Sequence, residues 1–154
     1  MNITTVGIDL AKEIITVYAQ DAAGHCVMSR NFKFKELAEW LVQLPAGCLI
    51  GMEACSTAHH WGRRMQAMGL QPRLMAAEFV QAFRKSRSAK NDHNDAEAIA
   101  IAVRQPTMRF VAIKNETQQS RPAVHVSELL QMEWFTGTAT HTRSAFHPSF
   151  LFTF

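Results

Sequence analysis

Apolar and polar positions alternate from the start of the chain. Between Ile3 and Leu10, Val6, Ile8 and Leu10 fall on one side of an extended backbone, and a second β-rich run, Ile14–Ala19, follows after only "AKE". Both predict strands, paired antiparallel through a tight turn. "DAAGH" (Asp21–His25) supplies turn residues, and the looser alternation of Cys26–Phe34 predicts a third strand, completing a meander. The period then changes. In "KELAEWLVQL" (Lys35–Leu44), Leu37, Trp40, Leu41 and Leu44 recur at helical spacing until Pro45 and Gly47 stop the helix. "CLIGMEA" (Cys48–Ala54) predicts a strand buried on both faces, with Glu53 at its C-terminal end. Ser56 or Thr57 can cap a helix running to about Met68, Gly69 closes it, and "LQPRLMA" (Leu70–Ala76) predicts the next strand. Helices are expected over about Ala77–Arg84 and Asp92–Arg104, the last ending before Pro106. The sum is an α/β fold with a mixed sheet. After Thr117 periodicity fades: "SRPAVHVSELLQMEW" has room for one short helix, and Phe135–Phe154 is expected to be poorly packed.

Composition narrows the picture. A chain of 154 residues holds one ordinary domain with a real core. With 47% hydrophobic and 19% charged residues it is globular, and no window nears the roughly 18 uninterrupted apolar residues of a membrane span. The N-terminus lacks a basic n-region and carries Asp9 inside its apolar run, so a cytoplasmic location is expected rather than export. Three cysteines, Cys26, Cys48 and Cys55, odd in number and without CxxC spacing, argue against a zinc knuckle or a disulfide framework, and are expected as buried or partly buried thiols. The net charge is only +3, but Arg84, Lys85, Arg87 and Lys90 cluster in "FRKSRSAK" with no acid among them, which points to a polyanionic partner.

Four carboxylates stand where an ordinary fold would not choose them. Asp9 lies in a strand, where aspartate is disfavoured by β-propensity and desolvation. Glu53 ends an apolar strand, and a buried carboxylate without a partner is driven to its neutral form. Asp92 and Asp95, at i and i+3, project from one side of a helix start. Each has an ordinary alternative: Asp9 a turn residue, Asp92 and Asp95 first-turn acids that favour the helix dipole. Taken together they suit hard divalent cations. Two such ions about 3.5–4 Å apart activate an attacking oxygen and stabilise a leaving one, and magnesium needs only a few carboxylates because it keeps its waters.

Three motifs carry a resemblance: "VGIDLAK" (Val6–Lys12), "IGMEACSTAHHWGRRM" (Ile50–Met65) and "KNDHNDAEAIA" (Lys90–Ala100). In order and spacing, over roughly Ile3 to Gln119, the chain resembles the N-terminal half of the DEDD transposases of bacterial insertion sequences, insertion-sequence-110 type. The resemblance implies an RNase H-like fold of the RuvC type over residues 1–117, a mixed sheet with flanking helices. It implies an acidic tetrad of Asp9, Glu53, Asp92 and Asp95, with Glu97 outside it, holding two Mg²⁺ or Mn²⁺ ions. It implies DNA as partner, with cutting and rejoining of strands as the chemistry; some family members are directed by a structured guide RNA, and a homo-oligomer is compatible. Full members continue into a coiled-coil helix and a domain with a nucleophilic serine. Residues 118–154 depart from that pattern and read like a shifted frame, so a truncated form without complete transposition activity is expected, and Ser144 and Ser149 are not that nucleophile.

Around this site, Arg84, Lys85, Arg87 and Lys90 are expected to hold phosphate, with Lys12 as a further contact; the plain alternative is a solvated helix face. His59 and His60 lack the i+4 partner of a zinc pair and are expected in helix packing or on DNA, while Trp40 and Trp61 are expected in the core. Two other functions compete. An actin-like sugar or acetate kinase also begins with a "GID" strand, but needs later Gly-rich phosphate turns that do not occur here; a non-catalytic fragment that occupies DNA, RNA or full-length transposase would bind without reacting.

Overall fold

The computed structural model describes residues 2–85 and 92–119, with the backbone alone for Asp92. The expected helix within 120–134 and the expected loose packing of 135–154 lie outside the described residues. So do Arg87 and Lys90.

The meander forms as the alternation requires. Strands β1 (Thr5–Leu10), β2 (Ile15–Gln20) and β3 (Cys26–Phe32) pair antiparallel in sequence order. Ile15, Val17 and Ala19 are fully buried on one face, whereas Ile14 is half exposed and stays out of the strand. Strand β3 stops two residues short of Phe34, because Lys33 becomes the extended cap of helix α1 (Phe34–Leu41) and its N–H donates to the Glu36 carboxylate at 3.1 Å. Helix α1 ends at Leu41 rather than Leu44. Its continuation tightens into i→i−3 bonds, Gln43 N–H to Trp40 O and Leu44 N–H to Leu41 O, which keep Leu44 against the core.

Strand β4 (Leu49–Glu53) then inserts beside β1, parallel to it, and β5 (Gln71–Met75) adds parallel to β4. Helix α2 (Ser56–Ala67) joins them. Its cap is Cys55, not Ser56 or Thr57: the Ala54 N–H bonds Met75 O at 2.8 Å, which holds the chain extended one residue longer. At its far end Gly69 takes φ +78° while its N–H bonds Gln66 O and the Leu70 N–H bonds Met65 O, a Schellman closure. The expected helix over 77–84 is shorter, α3 (Ala77–Val80) followed by a 3-10 turn at Gln81–Phe83, and Arg84 leaves it extended. Helix α4 (Asp92–Ala102) follows, and a two-residue strand β6 (Phe110–Val111), too short to show a period, closes the sheet antiparallel to β5.

The sheet order is β3-β2-β1-β4-β5-β6. One core lies on the face covered by α1 and α2, built from Val6, Ile8, Val17, Ile50, Met52, Leu37, Trp61 and Met65. A second lies under α4, with Ile99, Val103, Met75 and Val80. Trp61 is core as expected, and Trp40 is partly buried against it. Of the three thiols only Cys48 is buried; Cys26 and Cys55 are exposed, because one opens an edge strand and the other sits at a helix cap. Among the described residues no helix is long and apolar enough to cross a membrane.

Candidate metal and nucleic-acid site

Two strands carry the same triplet of glycine, apolar residue and acid: Gly7-Ile8-Asp9 in β1 and Gly51-Met52-Glu53 in β4. Their parallel register pairs Gly7 with Gly51 and Ile8 with Met52, so one further residue sets Asp9 beside Glu53 at the strand ends. Side chains alternate along a strand. Ile8 and Met52 enter the core under α1 and α2, so Asp9 and Glu53 belong to the other face, the one α4 crosses.

The glycines let α4 approach that face. A Cβ at Gly7 would fall on the Ala96 carbonyl oxygen and within 2.5 Å of Ala100 N; at Gly51 it would stand 2.9 Å from Val103 Cβ and 3.0 Å from Ile99 Cγ2. Ala96, Ala98, Ala100 and Ala102 are buried, the small residues such a close crossing needs. Asp95, one residue before Ala96, is thereby brought to the strand ends.

Arg84 joins the two elements. Its Nη2 donates to Glu53 Oε1 at 3.2 Å, and its Nε lies 2.9 Å from Asp95 Oδ1. The second contact is charge without alignment: the Nε–H has no acceptor along its axis although the nitrogen is buried. Beside it, Lys85 Nζ reaches Glu97 Oε1 at 2.7 Å, and the Tyr18 hydroxyl donates to the same oxygen at 3.2 Å. Burial first, then hydrogen bonding to Cys26 and the Glu97 charge, push the Tyr18 phenol well above its usual range, so it stays a donor. His93 Nδ1 lies 2.8 Å from Ser29 Oγ and ties the start of α4 to β3.

Of the expected site residues, Glu53 and Asp95 therefore meet at one guanidinium, and Asp9, half-buried, lies in register beside Glu53. Asp92 opens α4 one turn before Asp95, its side chain outside the described residues. Lys12 is exposed in the β1–β2 turn. Among the described residues no three His, Cys, Asp or Glu side chains converge as a ready-made metal cage. The donor set still suits a hard cation: oxygens from two elements already share one positive group. Sequence reading missed Arg84 as the bridge, which nothing local signals, and it missed Gly7 and Gly51, although the repeated glycine–apolar–acid triplet was visible.

His59 serves packing. His59 Nδ1 accepts the Lys114 N–H at 3.2 Å, and burial, then the charges of Lys114 and Arg63, hold its pKa below the ordinary value. His60 is exposed and lies edge-on to Trp61. Arg63 and Gln119 continue this seam, donating to Lys114 O and Ser56 O.

A six-stranded mixed sheet with helices on both faces, and acids at the ends of its two central parallel strands, is the architecture of the RNase H-like α/β class. A family model described as "Transposase", that of the DEDD transposases of IS110 type, matches residues 6–120, and the chain belongs to this family. Over 125 residues it is 39% identical to the "Probable family 20 transposase" of Pseudomonas aeruginosa, a stretch that is 81% of this chain and 36% of that protein. It is 37% identical over 124 residues to the transposase for insertion sequence element IS1328 of Yersinia enterocolitica, covering 80% and 36% of the two chains. Against the transposase for IS1111A of Coxiella burnetii the identity is 36% over 123 residues, or 80% and 33%. The chain thus spans about a third of the length of these relatives.

Proposed function

We propose that this chain supplies the acidic half of a transposase: a site of Asp9, Glu53, Asp92 and Asp95 that holds two Mg²⁺ or Mn²⁺ ions and acts on DNA. The observation that carries this reading is one cation, the Arg84 guanidinium, shared by Glu53 of β4 and Asp95 of α4, with Asp9 in register beside Glu53. When bound, the ions would supply polarisation of an attacking and a leaving phosphate oxygen in strand cleavage or transfer. The protein's own part is to fix the carboxylates on rigid elements. Strand ends locked in a sheet and a helix seated on two glycines hold Asp9, Glu53 and Asp95 with little freedom, which an in-line displacement requires.

Calorimetric titration of Mg²⁺ into wild type and the Asp92→Asn/Asp95→Asn variant tests the site. Uptake by wild type that is lost in the variant is expected; equal uptake by both would remove the metal assignment and leave a nucleic-acid-binding fragment as the function.

A further inference from the structure

The segment leaving the 3-10 turn is tied to the acidic face at two consecutive residues, Arg84 to Glu53 and Asp95, and Lys85 to Glu97. We propose that Arg84 is an exchangeable counter-ion: it neutralises Glu53 and Asp95 when no metal is bound, a divalent cation must displace it, and the displaced guanidinium then meets nucleic-acid phosphate. Cation and nucleic acid therefore bind cooperatively. The inference rests on the metal-site reading above and adds the residue that couples that site to its polyanion.

Four observations carry it. Arginine does not lose its proton in a protein, so Arg84 cannot give way by titration and has to leave as a cation. Its hold is limited: its side chain is 31% exposed and that of Glu53 27%, so this pair is screened and worth a factor of about five or less, while Asp95, 13% exposed, is met at 2.9 Å without an aligned hydrogen bond. The fit is also incomplete, since the buried Nε–H is not aligned with any acceptor. Finally, the backbone imposes little on it. Arg84 is extended and its N–H makes one long bond to Gln81 O at 3.3 Å, so the two ion pairs, rather than the backbone, hold its side chain where it is. Displacement leads to a place where phosphate is expected, because Lys85, its neighbour, is 64% exposed and also positive. A divalent ion brings twice the charge to the same two carboxylates, and a like charge cannot share their site with it.

A purely structural Arg84 predicts the opposite consequence. If the guanidinium were needed to hold Glu53 and Asp95 at the right separation, removing it would loosen the acids and weaken metal binding. Mn²⁺ titrations of the whole chain, followed by the electron paramagnetic resonance signal of the free ion, separate the two. Arg84→Ala is expected to bind Mn²⁺ about tenfold more tightly than wild type without nucleic acid, from the loss of two competing ion pairs. A short duplex DNA should tighten Mn²⁺ binding by wild type and do so less in the variant, as reciprocal linkage requires. Arg84→Gln keeps the side-chain length without the charge, and should behave as Arg84→Ala should a shortened side chain impair folding.

Mn²⁺ affinity equal to or below wild type in either variant, with the circular dichroism spectrum unchanged, overturns the proposal. An Asp95→Asn control distinguishes that failure from a deeper one. Should Asp95→Asn bind Mn²⁺ as wild type does, the metal site itself is wrong and the counter-ion role falls with it; should Asp95→Asn lose the ion while Arg84→Ala gains nothing, the counter-ion role alone is wrong.

Discussion

His59 illustrates how a residue that looks like chemistry can be packing. Its Nδ1 is occupied by the Lys114 N–H, so the neutral ring with hydrogen on Nε2 is the folded form, and protonation would set a second donor against the first. Burial and two neighbouring cations hold its pKa below the ordinary 6.5. The sign follows from linkage. The unfolded chain takes up the proton near pH 6.5 and the folded chain resists, so the stabilisation is full above pH 6.5 and is lost as pH falls below it. His59→Gln keeps an acceptor and removes the titration. Its unfolding midpoint in urea should fall less than that of wild type between pH 7 and pH 5; parallel curves would mean that other groups set the acid sensitivity. This use of His59 was readable only in part: the missing i+4 partner argued against zinc, but the acceptor role depends on a backbone amide 55 positions along the chain.

Among the elements, α4 shows most clearly how a helix is placed by what it packs on. It has small apolar residues on nearly every side and no charged stripe over its last two turns, as suits burial between the sheet and the 3-10 turn. Gly7 and Gly51 set its height above the strands, and their contributions differ in kind. At Gly7 an added methyl meets helix backbone, which cannot step aside; at Gly51 it meets the side chains of Val103 and Ile99, which have some room to adjust. Gly7→Ala should therefore destabilise by about 3 kcal/mol and Gly51→Ala by about 1 kcal/mol, measured by urea unfolding. Equal losses would show that α4 re-seats as a rigid body. The same crossing explains why Asp9 and Glu53 lie where α4 can add an acid. They follow the glycines by two residues, hence on the same face, just beyond the point of closest approach.

For the whole molecule, a net charge of +3 is too small to bind polyanions unaided, and local arrangement has to do it. Replacing Arg84, Lys85 and Arg87 together by alanine should weaken duplex DNA binding and reduce the slope of log affinity against log salt by roughly one for each phosphate no longer neutralised. A slope unchanged from wild type would return these residues to a solvated face. Membership in the IS110-type transposases agrees with the acids and motifs along residues 6–120. By itself the sequence determined the strands and helices whose period runs for five residues or more, and the family, since alternation, helical spacing and contiguous motifs are local effects. It did not determine the two-residue β6, the break in the helix after Val80, or the ion pairs of Arg84. Those follow from which strands become neighbours and how closely α4 descends on them, meetings such as that of Arg84 with Glu53, 31 positions apart, that a local pattern cannot encode.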